Sequence, residues 1–106
     1  MKKLVIHSQE ILRLVSHADI SYCKSDNCYT SIFLHNREEL VMCKSLKKVS
    51  QQLDAGIFIR VHQSHLINKN CIKLINKKNK YIELVCGTHI PFTTTINELM
   101  SSISGS

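Results

Sequence analysis

Short stretches of apolar residues, several of them alternating with polar ones, recur along the chain and predict many short β-strands. These stretches are residues 4–6, 11–15, 20–23, 29–34, 40–43, 72–75, 80–85 and 89–92. Turn-forming clusters such as Ser25-Asp26-Asn27 and Asn76-Lys77-Lys78-Asn79 separate several of them. Apolar residues are nearly continuous in 11–15, so we expect that strand to be buried. The pattern predicts a mainly β protein.

The hydrophobic period changes in two places, and each change predicts a short helix. Apolar residues recur at helical spacing over about 45–53, where Ser45 can serve as the N-cap. A similar pattern predicts a terminal helix over 95–103. We expect residues 104–106 to be a disordered tail, and we see no repeat or linker. The chain is therefore expected to form a single domain over 1–106, excised from a longer protein.

Residues 57–71 mix apolar and polar side chains more densely than any other run. Apolar Phe58, Leu66 and Ile67 suit strands that face a core. The polar side chains between them must form hydrogen bonds within the protein or with a partner, because an unpaired buried polar group costs about 1–3 kcal/mol. We expect both: some of these polar side chains should support the fold, and others should be exposed to a partner.

Two residues of this run are expected to support the fold. A strand arginine such as Arg60 can cap backbone carbonyls, and Asn68 follows Leu-Ile at a natural turn position. By contrast, we expect His62, Gln63 and Ser64 to be presented to a partner. Gln63 can pair bidentately with adenine, and histidine can donate or accept at a base edge.

Charge favours a polyanionic partner. The chain carries 14 Lys and Arg against 8 Asp and Glu, a net charge of +6, although basic residues also serve solubility. Five Cys with no C-x-x-C pair, no signal peptide and no apolar run of membrane-spanning length favour a reducing cytoplasm. We expect the thiols of Cys23, Cys43 and Cys86, which lie in apolar stretches, to be packed in the core.

Metal and catalytic sites are the weaker interpretations. His62-x-x-His65 and Cys86-x-x-His89 have suitable spacing, but residues three apart in a strand point to opposite faces. The chain has no G-x-S-x-G motif, no P-loop and no Gly-rich phosphate cradle. We therefore expect no metal, no cofactor and no enzymatic activity.

The order of four motifs points to a family. The run Phe58-x-Arg60-x-His62-x-Ser64-x-Leu66-Ile67-Asn68 closely resembles the signature of LytTR-type DNA-binding domains. Three other segments resemble the family in the same order, namely Asp19-Ile20-x-Tyr22 with Asp26-Asn27-x-Tyr29-Thr30, the helical Ser45-Leu46-Lys47, and Ile90-Pro91-Phe92-Thr93. The resemblance as a whole extends from about residue 10 to 100.

This resemblance implies a fold of small antiparallel β-sheets in an elongated body with one or two short helices. It also implies that loops, rather than a recognition helix, read the major grooves of double-stranded DNA. The implied DNA-binding residues are Asn27, Tyr29 and Thr30 in the first loop, His62, Gln63 and Ser64 in the second, Thr93, Thr94 and Thr95 in the third, and Lys69 as a phosphate contact. The third loop has threonines where the family commonly has arginine, which implies an altered or relaxed sequence preference.

The resemblance further implies partners and a cellular role. The domain would be the cytoplasmic output half of a bacterial transcriptional regulator, controlled by an upstream receiver or sensor domain and dimerising on direct repeats, without membrane contact. One alternative is a small β protein-interaction module that has lost specific DNA binding. Another is an OB-like binder of single strands, which would need exposed stacking aromatic residues.

Overall fold

The computed structural model describes residues 2–104, which form an elongated body of 46 × 29 × 23 Å. The strands are β1 (Lys3–Ser8), β2 (Ile11–Ser16), β3 (Ile20–Asp26), β4 (Tyr29–Leu34), β5 (Glu39–Met42), β6 (Phe58–His62), β7 (His65–Asn68), β8 (Ile72–Asn76), β9 (Tyr81–Leu84) and β10 (His89–Pro91). The α-helices are α1 (Leu46–Gln52) and α2 (Ile96–Ser104). This architecture confirms the predicted fold class.

The strands form three antiparallel sheets, as implied by the resemblance. A central five-stranded sheet has the order β5-β4-β3-β7-β6, with β3 in its middle. The β1–β2 hairpin forms a second sheet, and β10-β9-β8 form a third. Pro91 lies on β10, an edge strand of the third sheet, where the ladder does not require an N–H.

Apolar residues pack on both faces of the central sheet. One core joins β1, β2 and α1 to one face, with Leu4, Val49 and Leu66 among its buried members. The other core joins the third sheet and α2 to the opposite face, through residues such as Ile67 and Leu99. The central sheet is therefore the middle layer of three.

The prediction that residues 11–15 form a buried strand is correct for the strand and wrong for the burial. Within β2, Ile11, Leu12 and Leu14 are 65%, 64% and 60% exposed, and only Val15 is buried. Leu12 and Leu14 pair with His7 and Val5 across the hairpin, so they share its outer face. No layer among the described residues covers that face, because the hairpin itself is the outermost sheet.

The thiol prediction is right for one of the three cysteines that it concerned. Cys23 is fully buried in the central sheet, and burial raises its pKa to about 12. Cys43 and Cys86 are exposed, because they lie one and two residues beyond the ends of β5 and β9 rather than within a strand. All five cysteines, including the exposed Cys28, carry free thiols.

Ser104, the first residue of the predicted C-terminal tail, is helical. Ser104 is the last residue of α2, and its hydroxyl donates to the Met100 carbonyl at 2.7 Å. The rest of the predicted tail, residues 105–106, lies outside the described residues.

Asn68 supports the fold, as predicted. It is buried at the end of β7, and its amide nitrogen donates to the Ile20 carbonyl at 3.0 Å. Its amide oxygen accepts from the Asn70 backbone N–H at 2.9 Å, which caps the following 3₁₀ turn. One side chain thereby joins β3 to the connection between β7 and β8.

We predict that Asn68→Ala lowers the free energy of unfolding by about 2–3 kcal/mol, because it leaves the Ile20 carbonyl and the Asn70 N–H without this partner. Urea denaturation followed by circular dichroism measures the change. Asn70→Ala is the matched control, since it keeps the backbone N–H that Asn68 caps, and it should change stability by less than about 0.5 kcal/mol. Equal losses in the two variants would contradict the structural role of Asn68.

Candidate nucleic-acid interface

The turn between β6 and β7 is held by an arginine from its own strand. Arg60 donates from Nε to the His62 carbonyl at 3.1 Å and from Nη2 to the Gln63 carbonyl at 2.6 Å. These bonds confirm that Arg60 supports the turn by capping carbonyls. Because the guanidinium fixes the backbone of the turn, the exposed side chain of Gln63 is presented from a defined position.

Two backbone hydrogen bonds bring the three predicted loops together. The Ser25 N–H donates to the Ser64 carbonyl at 2.9 Å, which joins the end of β3 to the β6–β7 turn. The Thr93 N–H donates to the Val61 carbonyl at 2.9 Å, which joins the segment before α2 to the other side of that turn. The ladder between β6 and β7 is irregular around Val61, between the Arg60 and His62 pairings. The structure therefore places the three loops side by side.

An open groove of about 490 Å³ lies beside the turn, and we call it the β6–β7 groove. Its lining includes Asn27 from the first loop, His62, Gln63 and Ser64 from the second, and Ser25, Ser45, Leu46, Lys47 and Arg60 around them. Donors, acceptors and two cationic groups therefore converge on one concave surface. The three threonines of the third loop do not line it.

The first loop is a tight turn between β3 and β4 in which the predicted residues have different roles. Asn27 is exposed and has a φ of 57°, a left-handed conformation that asparagine tolerates well. Tyr29 is 50% exposed and is available to a partner. Thr30 is fully buried, and its hydroxyl donates to the Lys44 carbonyl at 2.7 Å, so it supports the strand and has no surface to offer DNA.

The second loop contains two histidines joined through a serine. Nδ1 of His62 lies 3.0 Å from the Ser64 hydroxyl and accepts from the Ser64 backbone N–H at 3.1 Å. The same hydroxyl lies 3.1 Å from Nδ1 of His65. The two rings are cross-strand partners, 5.4 Å apart and nearly perpendicular.

His65 is more deeply buried than His62, and its surroundings favour the neutral imidazole. It is 8% exposed, and burial lowers its pKa to about 4, with further lowering by His62 and by Lys24, its partner on β3. The spacing His62-x-x-His65 had raised the metal interpretation, but the described residues contain no group of three or more metal-ligating side chains. His65 was not among the predicted interface residues.

The third loop also divides by role. Thr93 is exposed beside the β6–β7 turn, and Thr94 is partly buried. The Thr95 hydroxyl accepts from the Glu98 N–H at 3.1 Å, so this side chain caps α2. Of the three threonines, Thr93 is thus the one that is exposed next to the second loop and does not cap a helix.

Lys69 lies away from the three loops. It follows Asn68 at the end of β7, and its backbone N–H donates to the Ile57 carbonyl at 2.8 Å, near the start of β6. The turn that carries Gln63 is at the opposite end of β7, and four strand residues span about 13 Å. The structure therefore does not bring Lys69 to the β6–β7 groove.

Lys47 replaces Lys69 as the lysine positioned by the groove. It lies in the first turn of α1, which is capped by the Ser45 hydroxyl accepting from the Lys48 N–H at 3.2 Å. Ser25 and Ser45 also line the groove. Neither was predicted as a site residue, because serine at these positions is typical of a turn and of a helix N-cap.

Comparison with known proteins identifies the fold and the family. The sequence model of the LytTr DNA-binding domain family matches residues 10–102, which is most of the chain. The chain belongs to the LytTr DNA-binding domain family. A solved structure, the LytTr DNA-binding domain of a Bacillus cereus protein described as a methyl-accepting/DNA response regulator, is similar in fold with a TM-score of 0.79. It is 17% identical, and the match covers 100% of this chain and 99% of that one.

A search of curated proteins finds no significant match. Among the described residues, no helix is long and apolar enough to cross a membrane. Membership of the LytTr family accords with a DNA-binding rather than an enzymatic domain.

We predict that Arg60→Leu disorders the turn while leaving the cores intact. The carbonyls of His62 and Gln63 would lose their charged donor, so amide hydrogen exchange of residues 62–65 should accelerate by about tenfold or more. Hydrogen exchange followed by NMR measures this effect. Arg13→Leu removes another arginine, one paired with Glu38, and should leave exchange in the turn unchanged. Unaltered exchange in Arg60→Leu would contradict its role as a clamp.

We also predict that stability falls as the pH drops from about 6.5 to about 4. Over that interval an unfolded His65 takes up a proton, whereas the folded state does not until its pKa of about 4 is reached. The loss is at most about 1.4 kcal/mol per pH unit per histidine. Burial also lowers the pKa of His17, which lies edge-on to Phe58, so it adds to the same slope.

Urea denaturation at a series of pH values tests this expectation. His17→Phe should show a shallower loss of stability than the unaltered protein, because the variant lacks one of the two buried histidines. His7→Phe, which replaces an exposed histidine, should keep the original slope. A flat profile between pH 6.5 and 4 in the unaltered protein would refute the prediction.

Proposed function

We propose that this domain binds double-stranded DNA in a sequence-specific manner as the output domain of a bacterial transcriptional regulator. The observation that carries the proposal is the β6–β7 groove, where side chains from two loops converge beside Lys47 and Arg60. Family membership supports DNA as the partner. The net charge of +6 supports attraction to a polyanion.

The residues of the interface divide into two kinds of contact. Asn27, His62 and Gln63 carry side chains that can exchange hydrogen bonds with base edges in a major groove. Lys47 is a cationic group suited to a phosphate, which positions the protein without reading sequence. Tyr29 and Thr93 lie on neighbouring loops and extend the same surface. Thr30 and Thr95 contribute by supporting these loops.

Regulation forms the second part of the proposal. We propose that an upstream receiver or sensor domain controls this domain and that two copies bind direct repeats in the cytoplasm. The response-regulator description of the structurally similar Bacillus cereus protein supports this arrangement.

One observation favours an alternative function. The outer face of the β1–β2 hairpin exposes Val5, Leu12 and Leu14, which would suit contact with another protein. A protein-interaction module that has lost DNA binding would use such a face and would bind duplexes weakly and without preference. Selection of bound duplexes from a random pool, followed by titration of the preferred duplex at several salt concentrations, separates the two functions.

We predict different effects for a base contact and for a phosphate contact. Gln63→Ala should weaken binding to the preferred duplex by about 1–3 kcal/mol and relax preference at one position. Lys47→Ala should weaken binding to all duplexes alike and reduce the salt dependence by about one counterion. Fluorescence anisotropy across a panel of single-site duplex variants measures both.

Two controls match these substitutions in chemistry. Gln51→Ala replaces an exposed glutamine on the last turns of α1, and Lys3→Ala replaces an exposed lysine at the start of β1. Neither residue lines the β6–β7 groove, so neither variant should change sequence preference. Equal binding of every duplex by the unaltered protein, even at low salt, would refute the specific DNA-binding function.

A further inference from the structure

The β6–β7 turn contains a hydrogen-bonded chain that ends at a side chain of the groove. Ser64 stands between two imidazoles, with its hydroxyl 3.0 Å from Nδ1 of His62 and 3.1 Å from Nδ1 of His65. His62 lines the β6–β7 groove, whereas His65 is buried behind the turn. The direction of the hydrogen bonds determines which atom His62 offers to the groove.

A backbone group sets the direction at His62. The Ser64 N–H can only donate, and it points at Nδ1 of His62 from 3.1 Å. This bond favours a lone pair rather than a proton on Nδ1, and the bond from the Ser64 hydroxyl adds to that preference. In a neutral imidazole the proton then resides on the other ring nitrogen, Nε2.

The Ser64 hydroxyl extends the same arrangement to His65. With its hydrogen directed at Nδ1 of His62, the oxygen is free to accept, and Nδ1–H of His65 is at the right distance to donate. The opposite direction would set the serine oxygen and the His62 nitrogen lone pair against each other at 3.0 Å, without a hydrogen between them. The favourable order is therefore His65 Nδ1–H to Ser64 Oγ–H to His62 Nδ1.

Burial keeps His65 neutral. The low pKa of His65, about 4, follows first from burial and then from the nearby His62 and Lys24. At neutral pH the buried imidazole can therefore act as a donor at one nitrogen without carrying a charge. The cross-strand pairing of His65 with both His62 and Lys24 holds it in this position.

We propose that Ser64 and His65 are positioning residues that hold His62 with its proton on Nε2, so that the β6–β7 groove presents an N–H donor to a base edge. This inference rests on the proposed DNA-binding function. A fixed donor selects an acceptor in the major groove, such as guanine N7 or O6 or thymine O4, and disfavours the amino group of cytosine. The neighbouring Gln63 side chain can both donate and accept. The requirement for an acceptor on the base therefore comes from His62.

The first test measures the tautomer in the protein without DNA. Long-range ¹H–¹⁵N correlation spectra of the imidazoles at pH 7.5 report which nitrogen carries the proton. We expect His62 to be protonated on Nε2, and Ser64→Ala to introduce a measurable Nδ1–H population or ring exchange. A predominant Nδ1–H form of His62 in the unaltered protein would overturn the inference, whatever its DNA binding.

The second test measures base discrimination on the duplex selected by the unaltered protein. His65→Leu keeps an apolar side chain at the buried position but removes the donor to Ser64. Ser64→Ala removes the hydroxyl and keeps the backbone N–H. Each should reduce discrimination at one base pair by about three- to tenfold, as expected for one hydrogen bond.

Rescue distinguishes positioning from a merely structural role. In His65→Asn the amide nitrogen can take the place of Nδ1 and donate to Ser64, so discrimination should return towards that of the unaltered protein. His7→Gln, which replaces an exposed histidine of the hairpin, should change neither the His62 tautomer nor base preference.

The possible outcomes separate the inference from the proposed function. Specific binding that survives His65→Leu and Ser64→Ala with full discrimination at every position would overturn the positioning role and leave the proposed function standing. Absence of any preferred duplex would overturn the proposed function and the base-reading part of the inference, while the spectra would still decide the tautomer. Loss of discrimination with rescue by His65→Asn would support both.

Discussion

Burial of both faces of the central sheet is the constraint on which the rest of this structure depends. One face packs against the β1–β2 hairpin and α1, and the other packs against the third sheet and α2. A sheet covered in this way has no free face on which to present polar side chains. Groups that meet a partner must therefore come from strand ends and turns, which explains why the groove forms where β6 gives way to β7. The position of the candidate interface, at strand ends and turns, is thus a consequence of the layer arrangement.

The same constraint explains which features could be predicted from the sequence. Strand positions follow from local apolar patterns and turn residues, and the helix after Ser45 follows from a change of period and a cap. The scaffolding roles of Arg60 and Asn68 were predictable because their chemistry satisfies nearby carbonyls in any turn of this kind. The order of the motifs was sufficient to indicate the family.

Features that depend on the stacking of layers could not be predicted in this way. Leu12 and Leu14 belong to a strand that looks buried, but nothing in a continuous apolar run tells whether another layer will cover it. β3 extends through Ser25 and Asp26, which look like turn residues, because pairing with Thr30 and Tyr29 continues across the hairpin. Thr30 is buried because it shares the covered face of β4 with Ile32 and Leu34.

In the β6–β7 turn, the groups that hold the backbone in place differ from the side chains that are exposed. Its position depends on the Arg60 guanidinium and on backbone bonds from Ser25 and Thr93, none of which involves the side chain of Gln63 or Asn27. Those two exposed side chains can consequently be exchanged during evolution without refolding the surface that carries them. A gene duplication could therefore yield paralogues with different side chains on this surface through very few substitutions, with the framework of the turn inherited intact.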